Sequence, residues 1–577
     1  MSFMKNIIYR SGMVLALSLT MVACSDEWND HYEAKTTGNG TMWEIINSDP
    51  TLSNFREVIE QCGYSALLDS KQAFTLFAPT NEYFTAEMRD SVISVYNSQK
   101  GTRANGAKEL RNEAVAQFIY NHLARYKTSV FAGMDTTISM MNGKRLPLTE
   151  NSLDGCAFEK SNISTDNGVV YYLKTPLSFK SNIYEYITSA TNRDHDMDSL
   201  NSFLTNKNYC YELFDAKASV AGDIVDGKTQ YLDSVTVLYN QVLSNFYGAA
   251  LNDEDSTYYL VAPTNELWKE KLEKYQQFFK YDSNDNNITK EVCDSLEYLG
   301  PRWAMIMGTA FSKTFNTEES LKDSAFSTNA YPYRLRYLAW GSYDKKNYQY
   351  DKPYAVPTGI FSGTTEVKCS NGILMKANTL NVPDTMRFMY TLYSRAGYSP
   401  NALDSVTTAS TSSPDYYQVS SESPFYNKLQ DHAYVVISPK SVGGRPECRF
   451  NVKSVLSGVK YKVYLLTVPA ISGDTLDTNK DFSTKYRVTM KYSYDGTDNK
   501  SHDETIKPEG SSVSYVDVTT TTGDVTKHYL GTYKFDYCSF GLDEARIKLL
   551  FQSRQTGQNI EAKRIRLSAI IFEPEEE

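Results

Sequence analysis

Between residues 42 and 68, apolar residues recur at spacings of three and four: Met42, Ile45 and Ile46, then Leu52, Phe55 and Ile59, with Leu67-Leu68 beyond. That period predicts helices packed by one face. The pattern then changes. Phe74, Leu76 and Ala78 alternate with Thr75 and Phe77, which predicts a buried strand ended by Pro79, a residue with no N–H for the ladder. Thr80 or Asn81 is placed to cap a helix starting near Glu82-Tyr83-Phe84. Asn167-Gly168 is a hairpin signal, with Val169-Val170-Tyr171-Tyr172-Leu173 as the returning strand.

This pattern occurs twice. Thr75-Leu76-Phe77-Ala78-Pro79-Thr80-Asn81-Glu82 has a partner in Tyr259-Leu260-Val261-Ala262-Pro263-Thr264-Asn265-Glu266. Asn167-Gly168-Val169 has one in Asn371-Gly372-Ile373. Two correlated motif pairs in one order predict a duplicated domain. The second copy carries an insertion, since Asn265 to Asn371 spans 106 residues against 86 from Asn81 to Asn167.

Beyond the duplication the pattern is almost wholly alternating. The segments 449–452, 460–465, 486–492 and 564–567 predict strands, punctuated at Ser457-Gly458 and Asp495-Gly496. Several such strands in about 150 residues imply a β-sandwich. Residues 383–424, Ser/Thr-rich around Ser405-Val406-Thr407-Thr408-Ala409-Ser410, read as a linker. The expected fold is therefore α+β and multidomain: two α/β units over 41–188 and 195–382, then an all-β sandwich of jelly-roll type over 425–577.

Phe74-Thr75-Leu76-Phe77-Ala78-Pro79-Thr80-Asn81-Glu82-Tyr83-Phe84 resembles the first signature of fasciclin domains, and Phe118-Ile119-Tyr120-Asn121-His122-Leu123 resembles the second. Asn142-Gly143-Lys144 and Asn167-Gly168-Val169 fit the family's later strands. The second copy resembles it more weakly, because its counterpart helix, Trp303 to Thr309, carries no histidine. The resemblance implies a mixed α/β adhesion module that contacts cells, matrix or glycans and is not an enzyme. It makes Tyr120 and His122 candidates for receptor contact. The alternative is that His122 hydrogen-bonds within the core. The C-terminal strands resemble a galactose-binding-like jelly roll, which implies carbohydrate binding. None of the five tryptophans, Trp28, Trp43, Trp268, Trp303 and Trp340, lies there. Tyr416, Tyr417 and Tyr426 are the candidate sugar-stacking rings, with packing at a domain edge as their alternative.

The N-terminus supplies an address. Lys5 and Arg10 precede the apolar run Met13 to Ala23, too short to span a bilayer and followed by Cys24. This resembles the lipobox of bacterial lipoproteins, which implies a signal peptide over 1–23, acylation of Cys24 and a tether over 24–40. Cleavage would take the formal charge from −10 to −12. The acidic stretch Asp26-Glu27 to Glu33 resembles a surface-export signal, so the expected location is the outer membrane, exposed at the cell surface. An acidic chain without a basic face excludes nucleic acid as a partner.

Chemistry is sparse. The six histidines are scattered, and there is no HExxH, GxSxG or phosphate-binding Gly-Lys-Ser/Thr loop, so no catalytic residue, metal site or cofactor is expected. Residues 194–198 and 282–286 have the alternate carboxylates of a calcium loop but lack its Gly and Glu, and read as solvated turns. The seven cysteines beyond Cys24 form no framework. The expected function is capture of a glycan or extracellular protein by a surface lipoprotein, in a specific version alongside an outer-membrane nutrient transporter. The alternatives are an envelope scaffold and a glycan-cleaving enzyme.

Overall fold

A computed structural model describes residues 40–100, 112–225, 227–330 and 348–576. The leader, Cys24 and the tether up to residue 39 lie outside the described residues. Among those described, no helix is long and apolar enough to cross a membrane.

The first unit is built on one seven-stranded sheet. Its strands are β1 (Phe74–Pro79), β2 (Leu123–Arg125), β3 (Asp135–Ser139), β4 (Arg145–Thr149), β5 (Ser152–Leu153), β6 (Cys156–Thr165) and β7 (Gly168–Leu173), in the order β2-β1-β7-β6-β5-β4-β3. β1 and β7 run parallel, from Phe74 opposite Gly168 to Pro79 opposite Leu173. Both are buried along their whole length, which is why each reads as a continuous apolar run. Helices Met42–Ser48 and Ser53–Gln61 cover one face through Met42, Ile46, Phe55, Val58 and Ile59.

The second unit repeats this register. Its strands are β8 (Cys210–Val225), β9 (Lys228–Asn240), β10 (Tyr258–Pro263), β11 (Ala310–Ser312), β12 (Ser324–Phe326), β13 (Gln349–Asp351), β14 (Thr364–Cys369) and β15 (Gly372–Ala377). β10 and β15 are parallel, from Tyr258 opposite Gly372 to Pro263 opposite Ala377. The Asn-Gly motifs explain the shared geometry. Asn167 Oδ1 accepts from Met42 N–H at 2.8 Å, and its Nδ2 donates to the carbonyls of Leu68 and Ser70 at 2.8 and 2.7 Å. Asn371 does the same with Ile183, Leu251 and Asp253, each at 2.9 Å. The next residue must let the neighbouring strand approach: a Cβ on Gly168 or Gly372 would lie 2.0 Å from the carbonyl oxygen of Phe74 or Tyr258.

Two boundaries differ from expectation. Helix Ile183–Thr188, with its Asn182/Glu185 capping box, opens the second unit rather than closing the first, because Ile183, Tyr184 and Ile187 pack in the second unit's core. The β8–β9 hairpin is also a further insertion, placed before β10 and so outside the interval compared in sequence.

The C-terminal part is a β-sandwich of two antiparallel sheets. Its strands are β16 (Leu392–Ser394), β17 (Leu403–Val406), β18 (Asp415–Gln418), β19 (Ala433–Ile437), β20 (Glu447–Val452), β21 (Lys460–Thr467), β22 (Ile471–Ser472), β23 (Thr475–Leu476), β24 (Lys485–Asp495), β25 (Ser501–Ile506), β26 (Val516–Thr519), β27 (Thr526–Lys534), β28 (Ile547–Ser553) and β29 (Ile565–Pro574). One sheet runs β18-β19-β29-β21-β27, with β16 also pairing β29. The other runs β17-β20-β28-β24-β25, with β26 also pairing β24. The segment 383–424, expected to be a linker, instead supplies β16, β17 and β18. Two of these, β17 and β18, lie at sheet edges, where polar side chains such as Asp404, Ser405, Asp415 and Gln418 are tolerated.

The second unit and the sandwich share a continuous hydrophobic core that includes Leu296, Trp303 and Phe388 together with Phe450, Tyr461 and Phe572. The 282–286 segment lies at this junction as a turn whose Ser283, Asn284 and Asn286 are exposed but whose carboxylates are not: Asp282 and Asp285 are buried, facing Tyr492 and Arg546. Among the described residues no two of the seven cysteines are joined by a disulfide.

Candidate functional site

The two signature residues of the first unit are committed to the fold. His122 has no exposed surface. Leu177 N–H donates to Nε2 at 3.0 Å, so Nδ1 carries the hydrogen given to the Phe118 carbonyl at 2.8 Å. Burial pushes its pKa down to about 4, so the ring is neutral and holds the turn after 115–119 against the segment leading out of β7. In the second unit Thr309 takes this position: Val261 N–H donates to the Thr309 carbonyl at 2.9 Å as Phe77 N–H donates to that of His122. Tyr120 reaches the edge of its unit, where its hydroxyl donates to Asp233 of the β8–β9 hairpin and lies 3.1 Å from the Tyr64 hydroxyl. Burial raises its pKa well above that of a free phenol, so it remains a donor. The expectation that Tyr120 and His122 face a receptor is therefore corrected: one is sealed in the core and the other strapped by the hairpin.

The fold-signature residues differ between the copies. Ala78, Pro79, Ala262 and Pro263 end β1 and β10 as expected. Thr264 caps helix Asn265–Gln276. Thr80 is instead bonded to Glu159, and the first unit's helix starts later, at Ala86, capped by Thr85. Asn81 and Asn265 do one job in both: each Oδ1 accepts the N–H that starts a preceding helix, from Asn54 at 3.0 Å and Ser199 at 2.8 Å.

Of the three tyrosines proposed to stack on sugar, one meets the requirement. In β18, Tyr416 and Tyr417 point to opposite faces. Tyr416 lies opposite Val435, a residue of the sandwich core, at the edge of the sheet. Tyr426 stacks on His432, ring centroids 3.5 Å apart, and packs against an apolar cluster with Phe425 and Leu429. Tyr417 lies opposite Tyr434 on the outer face, their rings stacked at 5.2 Å and 17°. Tyr434 is 3% exposed and fixed by Val436, Val468 and Phe425, whereas Tyr417 is 47% exposed. The result is a flat ring with a rigid backing.

This ring lines a cleft of about 490 Å³ with Asp415, Asp474, Asp477, Lys480, Glu561, Arg564 and Arg566. Glu561 accepts from Arg564 at 2.9 Å and from Arg566 at 3.1 Å. Asp474 accepts from the Ser420 N–H and hydroxyl, both at 2.8 Å, which hold its pKa below the usual carboxylate range. Burial pulls the Arg566 guanidinium below its ordinary value, with Glu561 opposing. An apolar ring face beside fixed donors and acceptors suits a ligand with one C–H face and several hydroxyls. Sequence reasoning missed Tyr434, Glu561, Arg564 and Arg566. Their one visible signal was the alternation Arg564-Ile565-Arg566-Leu567, which marks a polar outer face but not what crosses it. Among the described residues, no three His, Cys, Asp or Glu side chains converge as metal ligands.

Stabilin-1 of Homo sapiens is 22% identical over 174 residues, 29% of this chain and 6% of stabilin-1. Stabilin-1 of Mus musculus is 25% identical over 142 residues, 23% of this chain and 5% of that protein. The chain thus spans a small fraction of the length of these relatives. Among solved structures, a FAS1 domain pair from the insect cell adhesion molecule Fasciclin I is 13% identical, covering 58% of this chain and 98% of that one with a TM-score of 0.19. The CBM22-1 xylan-binding domain of Paenibacillus barcinonensis Xyn10C is 10% identical, covering 32% of this chain and 93% of that one, also with a TM-score of 0.19. Residues 50–179, which hold β1, β7, His122 and the Asn167 clamp and end before Asn182, match the Fasciclin domain.

Proposed function

We propose that this protein is a non-catalytic, lipid-anchored outer-membrane protein that captures glycan at the cell surface through its β-sandwich. The observation that carries the reading is the exposed Tyr417 ring, backed by Tyr434 at the mouth of a polar cleft. In this reading the second unit is a second fasciclin domain, supported by its matching register and Asn371 clamp. The two units serve as an adhesive spacer between the acylated Cys24 and the sandwich. An outer-membrane transporter receiving the captured glycan is the fitting partner.

Capture without cleavage is supported by how three of the cleft's four acids are used, Asp415 being the fourth. Glycoside hydrolysis needs one carboxylic acid held protonated opposite a second carboxylate. Here Asp474 is held ionised by Ser420, Glu561 is shared by two guanidinia, and Asp477 faces Lys480 at 3.3 Å.

The test is a glycan and matrix-protein array probed with the soluble chain from Ser25 onward, alongside Tyr417→Ala and Tyr416→Ala. A saturable glycan signal weakened about tenfold or more by Tyr417→Ala, and unchanged by Tyr416→Ala, is the expected result. Silence on glycans with binding to matrix proteins would replace capture with a scaffold role. Shortening of the glycans would restore the enzyme.

A further inference from the structure

The outer face of the other sandwich sheet carries a larger cleft, of about 800 Å³, beside the second unit. Its floor is crossed by two ion pairs. Arg449 on β20 reaches Asp503 on β25 at 3.0 Å, and Lys548 on β28 reaches back to Asp404 on β17 at 2.9 Å. At about 4.8 Å per strand, the first pair spans about 14 Å of sheet and the second about 10 Å. These side chains must therefore lie flat across the strands, making a broad polar floor.

The charges lining this cleft nearly balance, with Arg449, Lys453, Arg546 and Lys548 against Asp404, Asp495, Asp503, Asp543 and Glu544. Besides the two pairs, Lys453 donates to the Asp543 carbonyl at 2.6 Å, Arg546 is spent on Asp285 and Glu544, and Asp495 accepts from Ser501 and Asn287. A charged ligand binding on Arg449, Asp503, Lys548 or Asp404 would have to break an ion pair. A hydroxyl would not, because a paired guanidinium keeps spare N–H donors and a paired carboxylate keeps spare lone pairs. Asn451 Oδ1 is buried beneath the floor with no hydrogen-bond partner among the described residues. Tyr494, whose ring stacks on His502 at 4.9 Å and 15°, is among the lining residues. Pro400, Leu403 and Ala545 are the aliphatic side chains of the lining, too few for the side-chain pockets of a peptide groove.

We infer that this cleft is a second saccharide site, for an uncharged oligosaccharide held by its hydroxyls on the Arg449/Asp503 and Lys548/Asp404 floor. It shares its ligand class with the reading above but depends on different residues, so the chain would hold one polysaccharide at two points of the sandwich. Two-point attachment raises avidity without new contacts at either site.

The test titrates the soluble chain from Ser25 onward with xylo-, cello- and manno-oligosaccharides, and with oligogalacturonate as the acidic comparator. Tyr417→Ala is expected to retain a neutral-oligosaccharide signal. Adding Arg449→Met and Lys548→Met together, or Ser493→Tyr alone, is expected to weaken that residual signal at least tenfold. Ser493→Tyr replaces neither partner of either ion pair, loses the 2.6 Å hydrogen bond from Ser493 to Asp503, places a good strand former on an outer face and fills the cleft, so with an unchanged thermal midpoint it separates blocked binding from misfolding. The inference is overturned if Tyr417→Ala abolishes all binding, if the floor variants bind as Tyr417→Ala does, or if oligogalacturonate alone binds. If Tyr417→Ala binds as fully as the parent while the floor variants do not, the Tyr417 reading falls and this one stands. If the parent binds none of them, both fall.

Discussion

The Lys144 ammonium, on the hairpin between β3 and β4 of the first unit, lies 2.5 Å from Glu254 of the second. It also meets Glu185 at 2.6 Å and the Ser370 hydroxyl at 3.1 Å, and it is almost completely buried. One cation therefore holds the capping-box glutamate of the second unit's first helix and the loop before β10. Breaking a buried pair leaves charge without compensation and costs several times more than losing a surface pair. Lys144→Met should destabilise the junction by about 3 kcal/mol, seen as a lower thermal midpoint and faster proteolysis near residues 180–190. Lys144→Met with Glu254→Gln should recover part of that loss, and equal loss in both would show that Glu254 is not the partner that matters.

His122 gives the first unit a defined response to acid. The unfolded imidazole titrates near 6.5 and the folded one near 4, so between these values the unfolded chain binds the extra proton. Stability is unaffected by this group above pH 6.5 and falls as pH drops through the window, by about 3 kcal/mol at its lower end. Comparing thermal midpoints at pH 7 and 5 checks this. His122→Gln should have a lower midpoint at pH 7 and should lose this part of the acid dependence, and an unchanged pH slope would refute the assignment.

The two Asn-Gly clamps should fail in different places. Asn167→Ala removes four side-chain hydrogen bonds from the first unit, a loss of about 3 kcal/mol. The first unit's core clusters are separate from the core shared by the second unit and the sandwich. Calorimetry should therefore show Asn167→Ala lowering one transition, and Asn371→Ala lowering the other by a similar amount. If each variant lowers both transitions equally, the units do not unfold separately.

These clamps also show what a single sequence can and cannot supply. The repeat and the Asn-Gly turns were legible because a backbone constraint left the same short motif twice; the parallel pairing of β1 with β7 was not, because an Asn-Gly turn marks its own hairpin and says nothing of the strand beyond it. The helix starting at Ile183 packs in the second unit's core, which its capping box, Asn182 to Glu185, does not reveal because that chemistry is local and cannot say which sheet the helix packs on. β16, β17 and β18 were read as linker because an edge strand needs few apolar side chains. Tyr417 could be named from the sequence, but its partner could not. Which residue lies opposite Tyr417 depends on a pairing register fixed by β19 and β29, and only that register separates Tyr417 from Tyr416.

The join between the second unit and the sandwich rests on a buried pair, Asp285 and Arg546, of which the carboxylate side chain is 0% and the guanidinium 5% exposed. Around it, Tyr492 donates to Asp282 at 3.1 Å, and Asn286 N–H donates to the Asp495 carbonyl at 2.6 Å. Asp285→Ala would leave the guanidinium with only Glu544, itself largely exposed, and should destabilise the shared core by about 3–5 kcal/mol. Asp285→Leu with Arg546→Met should be markedly milder than Asp285→Ala, since two apolar groups of similar volume need no desolvated charge. A double-mutant cycle on denaturation midpoints measures the coupling directly. Because Arg546 also lines the larger sandwich cleft, the doubly apolar variant should fold yet bind neutral oligosaccharide there more weakly than the parent. Unaltered binding in a folded double variant would mean that Arg546 serves the junction alone.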